Sequence, residues 1–238
     1  GLRTVKYDYE SVEYAGGFNV RERLNRQESY TTLSTYYQIA RERRFFLDLE
    51  YGRYDFEFAT QATIRDSDSY TVRGGLEFSQ FGRRIRGRIR LGYKKFDVVD
   101  PDSPDFAGVV GDTNLSIRLT TILAVRGSYI RNVDFSLWYG EAYYVVTRPG
   151  AGLSLYPLPF VRLDYDYSTG KNKYPVTGEV PEDLTRLDKI DIHSSGIYFR
   201  IVENTAIGFV VSLWKRVSNI EGEDDERLFY GLNLTYDF

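Results

Sequence analysis

Four arginines alternate with smaller or apolar residues in one short segment of the chain. Arginine occupies every even position from 84 to 90, and the odd positions up to 93 carry mostly apolar side chains. Successive side chains of an extended chain point to opposite faces, so the four guanidinium groups share one face of a strand. Such a row can attract anionic solutes or acidic polysaccharide, or it can pair with carboxylates on neighbouring strands. The row consists of Arg84, Arg86, Arg88 and Arg90.

A possible catalytic row surrounds the only histidine of the chain. Asp191, His193 and Ser195 alternate, so they share one face of a strand and carry the side-chain types of a hydrolase triad. Neighbours on one face of a single strand are too far apart for a tight triad, and no Gly-x-Ser-x-Gly elbow is present. We therefore expect a polar histidine facing the interior of the fold, and we assign no catalytic residue.

Metal and cofactor chemistry finds little support in the residue types. Asp164 and Asp166, and the acidic run at 221–226, offer oxygen ligands but lack the spacing of a calcium loop. Cysteine is absent, which excludes disulfides and cysteine-ligated metals, and no phosphate-binding glycine loop occurs. A net charge of -3 gives no basic field for nucleic acid. We expect no cofactor, no metal and no nucleic-acid partner.

The elements that position these residues are strands. Period-two alternation recurs from end to end, whereas no long stretch shows the 3.6-residue period of a helix. The chain is 42% hydrophobic, too polar for a bundle of membrane helices, and no run reaches the length of about eighteen apolar residues that such a helix needs. Aromatic residues make up 16% of the chain, which suits strands and interfacial girdles. In lipid, an all-β chain must close into a barrel because no water satisfies open edges.

The alternation predicts about twelve strands, an even number, with short connections alternating with longer ones, as in outer-membrane barrels. Slips of the alternation near Gly52 and Arg53, and again at 150–152, predict bulges or bends. The predicted strands lie near 2–14, 29–39, 44–58, 69–79, 84–96, 107–119, 122–131, 137–156, 160–169, 187–201, 206–218 and 227–238.

The last eight residues combine alternating apolar side chains with aromatic residues at the last and third-last positions and a glycine seven before the end. This pattern resembles the assembly signal of bacterial outer-membrane β-barrels, which the barrel assembly machinery reads. The signal residues would be Gly231, Leu234, Tyr236 and Phe238. A start at Gly1 without an initiator methionine fits a processed product whose signal peptide was removed.

A second resemblance concerns the segments before the last strand. The order Arg216-Val217-Ser218-Asn219, an acidic loop and a closing strand is similar to the β-barrel porins encoded beside exopolysaccharide export systems. The segments 150–155 and 160–163 are similar to the penultimate hairpins of that family. The resemblance implies a porin-like barrel with a role in polysaccharide export.

The face of the arginine row follows from the cost of charge in lipid. Arginine on the lipid face at mid-bilayer costs about 2–4 kcal/mol per residue, so the row should face the lumen. Carboxylates on preceding strands would then be its partners: Asp48, Glu50, Asp55, Glu57 and Glu77. Side chains expected to face lipid are Ile85, Ile89, Leu91, Val161, Leu163, Leu232 and Leu234, and Arg162 and Asn233 should face inward.

The sequence therefore predicts one domain at 1–238, an antiparallel up-and-down transmembrane β-barrel in the bacterial outer membrane. Its expected role is a non-enzymatic, porin-like channel or translocation barrel for an anionic or saccharide solute. An anchoring barrel of an envelope complex, with a lumen closed by salt bridges, is the alternative. Expected partners are outer-membrane lipid, the barrel assembly machinery and envelope or export-complex proteins. A hydrolase would need His193 beside a nucleophile and an acid.

Overall fold

The computed structural model of the chain describes residues 1–10, 13–14, 18–81, 84–136, 141–175, 185–202 and 205–236. It confirms an all-β architecture of twelve antiparallel strands in one sheet, each hydrogen-bonded to its neighbours along the chain. These strands are β1 (Leu2–Tyr7), β4 (Arg26–Ala40), β5 (Arg43–Phe56), β6 (Ser67–Phe81), β7 (Ile85–Val98), β8 (Phe106–Arg118), β9 (Leu123–Phe135), β10 (Tyr143–Leu158), β11 (Val161–Lys173), β12 (Leu187–Val202), β13 (Thr205–Ser218) and β14 (Asp225–Tyr236).

The connections alternate in length along the sheet. Residues 41–42 and 159–160 form short turns at one end, whereas the other end carries longer segments with their own structure. There β2 (Glu13–Tyr14) pairs with β3 (Phe18–Asn19), and two short helices follow, α1 (Val20–Leu24) and α2 (Ala59–Arg65). The Asn19 side chain caps α1 by accepting the backbone N–H of Arg21 at 3.0 Å. No helix in the described ranges is long and apolar enough to span a bilayer.

The bulges predicted at Gly52–Arg53 and at 150–152 are wrong. The ladder between β4 and β5 keeps one register through Gly52, and the ladder between β9 and β10 does so through 150–152. A Cβ atom at Gly52 would lie 2.8 Å from Ser69 Oγ and 3.2 Å from a ring carbon of Tyr30. Gly52 therefore makes room for neighbouring side chains and does not shift the register. The register shifts that the described ladders contain lie near the short turns instead, as between Gln38 and Ala40.

The sheet has a buried face and an exposed face. On β5 the even positions Asp48 and Tyr54 are buried, whereas Leu47 and Leu49 are 40% and 42% exposed. The ring of Tyr54 lies 5.6 Å from that of Phe96 on β7, although β6 separates the two strands. The buried face is therefore concave, and we call it the inner face and the opposite one the outer face.

The hairpin formed by the end of β9 and the start of β10 separates from β8 and lies on the concave side of the sheet. The ladder between β8 and β9 ends at the Gly111–Arg131 pair, while β9 continues to Phe135 and pairs with β10 alone. The ring of Phe135 lies 5.3 Å from that of Tyr54 and 5.8 Å from that of Phe96. We call residues 132–136 and 141–146 the inserted hairpin, since Phe135 and Tyr143 pack against the inner face of β5 and β7.

The first and last strands form the two edges of the sheet. Among the described residues, no ladder joins β14 to β1. Leu232 and Leu234 lie on the outer face of β14 and are 82% and 73% exposed, more than the apolar residues of strands with two neighbours, such as Leu163 at 38%.

Candidate functional site

The arginine row lies on the inner face of β7. Arg86, Arg88 and Arg90 alternate with Ile89 and Leu91, and the strand register fixes both sets together. Arg90 lies opposite Asp112 of β8, and Arg88 lies opposite Glu77 of β6. Arg84 precedes the strand and is exposed at the end with the short turns.

The part of the row nearer the long connections is ion-paired. Arg90 Nε lies 2.5 Å from Asp112 Oδ1, and Arg90 Nη1 lies 3.9 Å from Asp48 Oδ2. Arg88 Nη2 lies 3.9 Å from the other carboxylate oxygen of Asp112. Asp112 was missed at the sequence level, because only acids on preceding strands were considered. Asp112 lies on the next strand at an even position, as the arginines do. This shared alternation was the signal that could have identified it.

Two further predicted acids face inward but pair with other arginines. Glu50 Oε1 lies 3.1 Å from Arg73 Nη1, and Glu77 Oε2 lies 2.9 Å from Arg44 Nη2. The structure thus brings Asp48 to the row and gives Glu50 and Glu77 partners of their own.

The lumen assignment of Asp55 and Glu57 is wrong. Asp55 lies on the outer face, where its carboxylate is 2.9 Å from Arg53 Nε. Glu57 lies beyond the end of β5 and accepts a hydrogen bond from Asn25 Nδ2 at 3.0 Å. Because β5 contains no bulge, the alternation continues through Gly52 and directs position 55 outward.

The end of the inner face nearest the short turns carries arginines without carboxylate partners. Arg84, Arg86 and Arg118 surround a cavity of about 170 Å³ that Ser116 and Tyr156 also line. Within the described part of the chain, none of these three guanidinium groups forms an ion pair. The Arg118 guanidinium lies 5.0 Å from the centre of the Tyr156 ring, a cation–π contact. We call Arg84, Arg86 and Arg118 the arginine cluster.

The candidate calcium ligands are neutralised by arginine. Arg126 lies 2.9 Å from an oxygen of Asp164 and 2.6 Å from an oxygen of Asp166, and Arg162 lies 3.2 Å from Asp164. The described ranges contain no group of three or more histidine or acidic side chains that could hold a metal. The arrangement is therefore a second ion-pair network of the inner face.

Aromatic side chains narrow the inner space towards the long connections. Phe96 and Tyr143 are almost fully buried, and their rings lie 5.4 Å apart where the inserted hairpin meets the wall. Lys94 is buried beside them, with Nζ 3.4 Å from Tyr54 Oη and 5.5 Å from the centre of the Phe96 ring. Along the inner face, the arginine cluster near the short turns is thus followed by an aromatic constriction towards the long connections.

The expectation of an inward-facing histidine is wrong. His193 lies on the outer face of β12, opposite Tyr167 in the ladder, and its Nδ1 is 2.9 Å from Tyr165 Oη. Asp191 accepts a hydrogen bond from Tyr167 Oη at 2.9 Å. Both polar side chains are therefore held by tyrosines of the outer surface, where they do not form a triad.

The predicted assembly signal lies at the edge of the sheet. Gly231 pairs with Val210, and Leu234 pairs with Ile207 on the outer face. The backbone of Tyr236 pairs with that of Thr205, and Phe238 lies outside the described residues.

One family model and three solved protein chains match this chain. The family model described as "Putative beta-barrel porin 2" matches residues 1–238. The outer membrane channel DcaP of Acinetobacter baumannii is similar in fold, with a TM-score of 0.58 at 10% identity, covering 100% of this chain and 70% of that chain. The NanC porin has a TM-score of 0.43 at 9% identity, covering 90% of this chain and 94% of its own. No protein of curated function matches.

Proposed function

This chain belongs to the beta-barrel porin 2 family, and on that basis we propose that it is a non-enzymatic channel of the bacterial outer membrane for small anionic solutes. The observation that carries the choice of solute is the arginine cluster, which has no described carboxylate partner. Planar guanidinium groups bind carboxylate and phosphate through two parallel hydrogen bonds, so they suit anionic sugars and acids.

The ion pairs of the inner face restrict where selectivity arises. Arg90 and Asp112 neutralise each other, so they contribute little net electrostatic field. They still give a polar surface whose groups can replace part of a solute's hydration shell. The arginine cluster contributes an unbalanced positive charge at one end, which raises the local concentration of anions. The aromatic constriction beyond it then limits the size of what passes.

The test is the reversal potential of the purified protein in a planar bilayer under a salt gradient. The triple change Arg84→Gln, Arg86→Gln and Arg118→Gln should move an anion-selective channel towards no preference. The control is Arg53→Gln, which removes a cation from the outer face, and it should leave the reversal potential unchanged. An identical reversal potential for the triple variant and the intact protein would contradict the proposed role of the cluster.

A closed anchoring barrel is the second candidate. The buried contacts of Phe96, Tyr143 and Phe135 favour it, because they fill inner space that an open pore would leave to water. Folded protein that stays electrically silent, and that remains silent after Phe135→Ala, would support this alternative. In either role the proposed partners are outer-membrane lipid, the barrel assembly machinery and envelope proteins. Glycosyltransferase genes next to its own would support polysaccharide export.

A further inference from the structure

A band of arginines and tyrosines crosses the inner face at the end with the short turns, and it extends beyond the arginine cluster. On the other side of Tyr156, a second cavity of about 70 Å³ is lined by Arg162, Tyr198 and Arg200. Tyr156 also lines the cavity of the arginine cluster, so the two cavities share this side chain. We call the arginine cluster together with these four residues the arginine–tyrosine band.

The strand order makes the band continuous. Arg118 lies on β8, Tyr156 on β10 and Arg162 on β11, and these strands follow one another in the sheet with β9 between the first two. Arg162 lies directly opposite Tyr198 of β12, and Arg200 comes two residues after Tyr198. Directly opposed residues and residues two apart share one face of a sheet, so these three side chains lie on the same face.

The band carries unneutralised positive charge on both sides of Tyr156. The arginine cluster lies on one side. On the other side, Arg162 is paired, because its Nε lies 3.2 Å from Asp164 Oδ2. Arg200 is exposed, and within the described part of the chain its guanidinium forms neither an ion pair nor a hydrogen bond. A ligand of the band can therefore place one anionic group at each end.

Aromatic rings cover the surface between the two cationic ends. The Arg118 guanidinium lies 5.0 Å from the centre of the Tyr156 ring, and the Arg162 guanidinium lies 4.1 Å from that of Tyr198. Phe160 lines the second cavity and is 52% exposed. Guanidinium groups bind carboxylates, and aromatic rings pack against the C–H face of another ring. The two features together suit an acidic sugar.

The distance between the two cationic ends favours a ligand of several linked units. Arg118 and Arg200 lie four strands apart, and neighbouring strands are about 4.8 Å apart, so the two residues are anchored about 19 Å apart along the sheet. A small diacid is too short to contact both ends of the band. A chain of acidic sugars carries carboxylates at intervals and can reach across.

We propose that the arginine–tyrosine band binds an acidic oligosaccharide. One carboxylate lies at the arginine cluster and another at Arg200, and the sugar between them packs on Tyr156. This inference rests on the proposed function and deepens it, because it names a short oligomer of acidic sugars as the anion that the channel accepts. Two weak contacts on one surface reinforce each other when a single ligand reaches both, since the second contact forms at a high effective concentration.

Isothermal titration calorimetry of the folded protein in detergent tests the proposal with trigalacturonate, a chain of three linked sugar acids, and with its galacturonate monomer. The trimer should bind the intact protein at least about tenfold more tightly than the monomer. Arg200→Gln should weaken trimer binding on the order of tenfold, the lower end of the range for a hydrogen bond to a charged group, because the site is exposed. It should leave monomer binding at the arginine cluster nearly unchanged.

The matched control is Arg44→Gln. It removes an inner-face cation at the same end of the sheet but outside the band, where Arg44 Nη2 lies 2.9 Å from Glu77 Oε2, and it should retain full trimer binding. Maltotriose, a neutral trimer of similar length, should bind the intact protein far more weakly than trigalacturonate. Succinate, a small diacid, should bind no more tightly than the galacturonate monomer.

Equal affinity of the intact protein for trimer and monomer would overturn the proposal, and this comparison needs no variant. Equal trimer binding by the Arg200 and Arg44 variants would also overturn it, as would maltotriose binding as tightly as trigalacturonate. Arg200 is not among the residues changed in the bilayer test, so the two failures are distinguishable. An anion-selective channel without preference for the trimer contradicts this inference alone, whereas an unchanged reversal potential in the triple variant contradicts the proposed function.

Discussion

Arg90 is ion-paired, whereas Arg86 in the same row is not, so the two arginines should differ in their effect on stability. Changing Arg90→Gln leaves the carboxylates of Asp112 and Asp48 facing each other across the inner surface without the guanidinium that lies between them. Arg86→Gln is the matched change four residues earlier on the same face. It removes a cation that has no described ionic partner. We expect the first variant to lose stability and the second to keep it.

The magnitude follows from the exposure of the pair. Exposed ion pairs contribute about 0.2–1 kcal/mol, whereas removing one partner of a buried pair costs about 3–5 kcal/mol. The side chains of Arg90, Asp112 and Asp48 are 25%, 31% and 12% exposed, between these limits. Water in the lumen screens part of the interaction. Arg90→Gln should therefore lower the free energy of unfolding by about 1–3 kcal/mol, and Arg86→Gln by less than about 0.5 kcal/mol.

Urea unfolding in lipid vesicles, followed by tryptophan fluorescence, measures both values. Adding Asp112→Asn to the Arg90 variant should restore part of the loss, because it removes the carboxylate left unmatched. Equal stability of the two arginine variants, or no recovery in the double variant, would show that the pair is not a stabilising interaction.

Three further predictions concern other parts of the molecule. Burial raises the pKa of Glu141 from its usual 4.5 to about 7, so the folded state binds this proton more tightly than the unfolded state. The free energy of unfolding should therefore fall by at most about 3 kcal/mol as the pH rises from 4.5 to 7. Glu141→Gln should abolish that fall in urea titrations. A Cβ atom at Gly75 would lie 2.1 Å from a carbonyl oxygen and 2.6 Å from the ring of Phe46, so Gly75→Ala should cost about 1–3 kcal/mol, whereas Gly127→Ala, with open space around it, should be neutral. Changing Phe238 to aspartate should lower the amount of protein in outer-membrane fractions, and an unchanged amount would contradict its role in assembly.

Local alternation was sufficient to predict the strands. All twelve overlap their predicted positions because each strand carries its own apolar and polar phase, which needs no knowledge of its neighbours. The two helices were missed, since α1 and α2 span less than two turns each and show no 3.6-residue period. The first strand was predicted to continue to 14 but ends at Tyr7.

The partners of the site residues were harder to predict than their faces. Alternation alone indicated that Arg86 and Arg90 share a face, but their ion pairs depend on how far each strand slides past the next. That register placed Asp112, which the sequence did not suggest, beside Arg90. A single mistaken bulge at Gly52 was enough to direct Asp55 to the wrong side, because every later position of the strand inherits the error.

The early end of the ladder between β8 and β9 gives the wall a weak seam. Backbone amides at 106–110 lack the cross-strand bonds to β9 that protect amides elsewhere in the sheet, so they should exchange their hydrogens with solvent faster than those at 112–118. The inserted hairpin is the element that would move if this seam opened, since its aromatic contacts are made across the gap. Opening there would widen the gap between β8 and β9 and loosen the constriction of the inner space in the same local unfolding event. The outer and inner faces of the sheet are thus mechanically coupled through one hairpin.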